Sequence, residues 1–134
     1  MVDIEAIVYD RVARAVLAEY PEAFTSSSYV AAPAAFPAVS LAEISSVTDK
    51  STLDSSGREL ASELTFEANA YSDLRVGAKA QARAIAAVID REMVAMNMTR
   101  TYSSQTENIT DSSVYRHTMR YVCKAGEDGR IYRR

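Results

Sequence analysis

Between Leu60 and Tyr71 the chain alternates without a slip: Leu64, Phe66, Ala68 and Ala70 fall on one parity, and Glu63, Thr65, Glu67 and Asn69 on the other. Successive side chains of an extended chain point to opposite faces, so this stretch suits an antiparallel strand with one face in a core and one turned outward. The rest of the chain must then cover the apolar face. The residues Ala78, Ala82, Ile85, Val88, Ile89, Met93 and Met96, spaced at three and four between Gly77 and Met96, supply an amphipathic helix suited to that task. Asn97 follows as its C-terminal cap, because asparagine tolerates left-handed dihedrals.

A second helix is expected at the N-terminus. Ile4, Val8, Val12, Ala15 and Val16 lie on one side with Ile7 flanking, and the helix should stop near Tyr20, since Pro21 disfavours helical geometry in the residue before it. A short strand over Phe24 to Val30 precedes the connector "AAPAAFP". From Ala38 to Val47 the apolar parity slips by one near Glu43, as a β-bulge would produce. The polar run Thr48 to Glu59 reads as a loop too long for a tight hairpin turn. Met98 to Ser104 and Val114 to Lys124 are two more strands, and after the turn Glu127-Asp128-Gly129 the residues Ile131 and Tyr132 can pair back on the last of them. The element order predicts an α+β fold: two helices packed on one mainly antiparallel sheet of about four to five strands, with a long projecting β-hairpin loop.

The 134 residues fit a single domain over 1–134, and 48% hydrophobic with 25% charged residues is enough to build a core without crosslinks. Cys123 is the only cysteine, so no intrachain disulfide can form and a reducing compartment is favoured. Asp3, Glu5 and Asp10 interrupt the N-terminal segment where a secretory signal would be basic and then apolar, and no run approaches a membrane span. The sequons at Asn97 and Asn108 are therefore read as chance.

No residue set selects itself for chemistry. A phosphate-cradling glycine loop is missing, and the single histidine, His117, cannot build a multi-histidine metal site. His117 and Cys123 lie six residues apart on one strand, about 20 Å at the usual rise, too far for a thiolate and its base. No serine sits in a nucleophile elbow. The expectation is a protein that is not an enzyme, with no cofactor.

Charge is distributed unevenly. Val114 to Arg134 holds six cations against two acids, a net +4, whereas the preceding residues, with 9 basic and 16 acidic groups, sum to −7. Arg116, Thr118, Arg120, Val122 and Lys124 share one parity and form a row on one face of their strand. Two readings stay open: a solvated face whose cations pair with Glu63 and Glu67 on the neighbouring strand, or a surface that meets another subunit or lines a passage for nucleic acid. The overall net charge of −3 argues against a general nucleic-acid binder.

The string of signals "EYP", "YVAAPAAFPAVSLAEIS", "STLDSSGRE", "LTFEANAYS", "AKAQARAIAAVIDREM" and "YRHTMRYVCKAGEDGRIYRR" resembles phage and prophage tail terminator proteins, also called tail completion or head-tail joining proteins, over nearly the whole chain. Its most specific pieces are Phe36-Pro37, Ser55-Ser56-Gly57, Tyr71-Ser72, Tyr115-Arg116 and Gly129 to Arg133; Asn97 departs from it, standing where a glycine is expected. The resemblance implies a virion structural protein at the tail-neck junction, made in the host bacterial cytoplasm. Such a subunit forms a ring, commonly hexameric, that caps the tail tube, stops its growth and contacts the head connector while DNA passes through without specific binding. Under that reading Arg116, Arg120, Lys124, Arg130, Arg133 and Arg134, with Asp49, Asp54 and Arg58 of the long loop, are the expected contacts with neighbouring subunits, tube or connector. Other neck components, a head-tail adaptor or stopper, and more distantly a small hydrolase or nucleic-acid binder, remain alternatives.

Overall fold

The computed structural model describes residues 2–30, 33–48, 61–106 and 113–132. Eight elements follow in order: α1 (Glu5–Glu19), β1 (Phe24–Ser26), β2 (Ala38–Thr48), β3 (Ala61–Ser72), α2 (Ala78–Ala95), β4 (Thr99–Thr106), β5 (Tyr115–Gly126) and β6 (Ile131–Tyr132). The strands form one mixed sheet in the order β1-β2-β3-β5-β4, with β6 also pairing β5. Both helices pack on one face of it, the two-layer α+β arrangement that the alternation of β3 requires.

Two local expectations appear as drawn from the sequence. The pairing of β2 with β3 shifts between Glu43 and Ser45, which is the bulge that the slip in apolar parity called for. Asn97 sits at φ 65° directly after α2, and its side-chain amide donates to the Ile131 carbonyl at 3.1 Å, tying the helix end to β6. β6 in turn pairs back on β5 at Lys124 and Ala125.

The first strand differs from its expected span. It ends at Ser26, where the Ser28 amide donates to Ser26 Oγ and Ser26 Oγ donates to the Ser28 carbonyl, turning the chain out of the sheet. β1 lies parallel to β2, with Phe24, Thr25 and Ser26 opposite Ala38, Val39 and Ser40, so the sheet has one parallel pair on an otherwise antiparallel frame. Phe36 and Pro37 are joined by a cis peptide bond just before β2. The expected hairpin loop over 48–59 lies, from residue 49 on, outside the described residues.

The core lies between helices and sheet. Val8, Val12 and Val16 of α1, Ile85, Ile89 and Met93 of α2, and Leu41, Leu64, Phe66, Met119, Tyr121 and Cys123 of the sheet are all buried within one cluster. Ala15 of the expected α1 stripe is only partly buried and Ile7 is largely exposed. A smaller apolar group, Ala38, Tyr71 and Val114 with Phe24 and Phe36 packed on it, closes one end of the sheet. No described helix is long and apolar enough to cross a membrane.

Candidate interaction surfaces

The face of the sheet turned away from the helices carries the row of cations. In β5 the register places Arg116 opposite Tyr71, Thr118 opposite Asn69, Arg120 opposite Glu67 and Lys124 opposite Glu63. These polar groups form a network across three strands. Asn69 Oδ1 accepts from Thr118 Oγ1 at 2.7 Å and from Arg116 Nε at 2.8 Å, while its amide nitrogen donates to Ser40 Oγ and Glu67 Oε1, both at 3.2 Å. Glu67 also holds Arg120 Nε at 3.1 Å and lies 3.6 Å from Arg116 Nη2. Arg116 stacks near two rings, with its guanidinium carbon 5.0 Å from the centroid of Tyr29 and 6.0 Å from that of Tyr71. Arg120 lies over Tyr102 at 5.4 Å.

Burial separates these cations. The Arg116 side chain is 11% exposed and that of its partner Glu67 16%, whereas Arg120 is half exposed. Arg116 is thus a mostly buried charge compensated by a carboxylate, an amide oxygen and two aromatic faces, an arrangement that satisfies it inside the subunit. Arg120 reaches solvent. Arg130 lies on the turn before β6, 3.9 Å from the Asp128 carboxylate. Asp49, Asp54, Arg58, Arg133 and Arg134 fall outside the described residues. The structure therefore brings Arg116 and Arg120 together around Glu67 and keeps Arg130 apart from them, beyond Lys124 at the β6 end.

Two further charged groups occupy the helix side of the sheet, one at each edge. On β4, Arg100 Nη1 lies 3.3 Å from Asp90 Oδ1 of α2, the same oxygen that accepts from the Tyr121 hydroxyl at 2.8 Å. Around them opens a recess of about 190 Å³ lined by Arg83, Asp90, Arg100, Ser103, His117 and Met119, together with Ala86 and Ala87 of α2. His117 Nε2 is 2.9 Å from Ser103 Oγ, and its other ring nitrogen is buried with no partner among the described residues. Burial, followed by the positive charges of Arg83 and Arg100, depresses the His117 pKa, so the ring is neutral near pH 7.

At the opposite edge the sign reverses. The Glu43 amide of β2 donates to Glu5 Oε2 at 2.8 Å, and Glu5 and Asp3 stand together because Asp3 Oδ1 accepts the Glu5 amide at 3.3 Å. Burial and then the nearby charges of Glu5 and Asp3 raise the Glu43 pKa. Neither edge group was singled out by sequence reasoning. Arg83 and Arg100 look like ordinary surface cations of a helix and a strand, and only the bulge at Glu43 hinted that its side chain would turn to the helix face.

Cys123 is fully buried in the core, and burial pushes its thiol up to about 11, away from any nucleophilic role at neutral pH. His117 lies on the same strand, six register positions from it, each opposite its own partner on β3: His117 with Ala70 and Cys123 with Leu64. No protein-family model matches the chain, and no curated protein is similar to it at a significant level.

Proposed function

We propose that this chain is a virion structural subunit without catalytic chemistry: a tail terminator that assembles into a ring, caps the head-proximal end of a phage tail tube, halts its polymerisation and joins the tail to the head connector. The observation that carries the reading is the resemblance of its ordered signals, from the "EYP" that ends α1 to the closing "GRIYRR", to that group over nearly the whole chain. Physical features support it. A ring subunit needs two unlike surfaces for its neighbours, and this sheet has two unlike edges with opposite charge. A passage for DNA should not grip phosphate, and the cation row is already neutralised in part by Glu67.

Six copies of a 14.7 kDa chain would make a ring of about 88 kDa (6 × 14.7). Light scattering behind size exclusion should report that mass, and negative-stain images should show annuli. Deleting the gene from its phage or prophage should yield overlong tails. Headless tails of normal length would instead assign a neck adaptor or stopper role, and salt-sensitive DNA binding by a monomer would assign the protein to nucleic acid.

A further inference from the structure

The two charged edges share one level of the sheet. Register places Glu43 opposite Phe66, Phe66 opposite Tyr121 and Tyr121 opposite Arg100, so a single cross-strand row runs from the acidic edge to the basic edge, all on the helix face. Strand direction alternates along β2, β3, β5 and β4, so β4 runs antiparallel to β2. A second copy in the same orientation, set beside the first, would therefore bring its β2 antiparallel to the first copy's β4, with Glu43 level with Arg100.

Among the described residues no strand covers either edge where that contact would fall, although the Glu43 amide is already taken by Glu5 Oε2. β1 covers only Ala38–Ser40 of β2, and among the described residues no strand lies outside the remainder, where Ile44 and Val47 are exposed. Among the described residues β4 has β5 on one side and nothing on the other, and its residues from Arg100 to Gln105 are exposed, Tyr102 among them. β4 has neither proline nor lysine, but its register shifts between Arg100 and Tyr102, so the contact rests on side-chain charge and not on continuous strand pairing.

Among the described residues the charges at these edges are only partly balanced. Arg83 is exposed and forms no ion pair among the described residues, and Arg100 shares its one acid, Asp90, with Tyr121. Asp3, Glu5 and Glu43 crowd together, and among the described residues no cation pairs with them. The acidic edge thus holds like charges that an opposite charge from outside would relieve, and the basic edge holds in Arg83 a cation with no acid among the described residues.

We propose that copies of this chain associate head to tail by these edges, the Arg83 and Arg100 side chains of one β4 edge being received by the Asp3, Glu5 and Glu43 carboxylates beside the β2 edge of the next. The occupant is a second copy because one molecule carries both halves of the complementary pair at matching height. Such a heterologous contact closes into a ring when its rotation allows. The contact deepens the ring reading above and rests on it.

Charge reversal tests the contact. R83E/R100E makes both edges acidic, and D3K/E5K turns the other edge basic. Each variant alone should weaken assembly about tenfold or more, measured by light scattering or sedimentation across protein concentration, and a mixture of the two should assemble again because each supplies the edge the other lacks. Arg83→Glu and Asp3→Lys, at exposed positions, provide single variants if a thermal melt shows either double variant to be misfolded. Rings that form normally from R83E/R100E, or a mixture that stays dissociated, would overturn the edge contact while leaving the ring standing. A wild-type protein that remains a monomer at high concentration and low salt would overturn the ring itself.

Discussion

Asn69 shows how much one side chain can organise. It is 2% exposed, and its four hydrogen bonds reach β2, β5 and a neighbour on its own strand, so it holds Thr118 and Arg116 in place as well as itself. Asn69→Leu would leave a buried hydroxyl and a mostly buried guanidinium short of an acceptor, which costs more than the bonds themselves contribute. Denaturant unfolding should show a loss of about 2–4 kcal/mol, most of it from those orphaned partners. At Cys123 the folded protein holds the thiol proton more tightly than the unfolded chain does, because burial raises its pKa from 9.0 to about 11. Its contribution to stability is therefore complete below pH 9 and is lost as pH rises through about 11. Comparing the alkaline stability profile of the wild type with that of Cys123→Ala isolates this slope from that of the buried tyrosines.

Among the elements, α2 was the most legible, because a stripe spaced at three and four over eighteen residues has only one regular structure that buries it. Two positions on this helix separate core from surface. Ile89 is fully buried between helix and sheet, so Ile89→Ala should cost about 2–5 kcal/mol in a chemical melt. Val94, 44% exposed on the same helix, should tolerate serine within about 0.5 kcal/mol. The strands β3 and β5 were equally readable from their parity, and the bulge in β2 from a slip in it. β1 was not. Its parallel partner lies across the connector before β2, and nothing in "FTSSSYV" distinguishes three paired residues from seven.

Across the whole molecule, both helices and strands β2, β3 and β5 share a single core, so none of these five can lose its packing alone. Heating should give one transition, with the loss of helical circular dichroism and the alkylation of Cys123 at neutral pH sharing a midpoint. A reactive Cys123 well below that midpoint would show the sheet opening before the helices melt. The charge pattern matters at this scale as well: a net charge of −3 conceals an acidic edge and a basic edge, and association driven by them should weaken with added salt. Sedimentation across ionic strength measures that dependence.

Periodicity alone determined which face of each long strand and helix is apolar, and hence the two-layer α+β fold, because burying those faces leaves few arrangements for two helices and a sheet. The sequence equally marked the cation row on β5 and offered Glu67 as one partner for it. Only the tertiary structure decided that Arg116 is mostly buried beside Glu67 while Arg83 and Arg100 stay exposed, Arg100 next to Asp90. Register and helix packing set that difference, and they bring together residues such as Asn69 and Arg116, 47 positions apart, whose spacing along the chain carries no periodic signal.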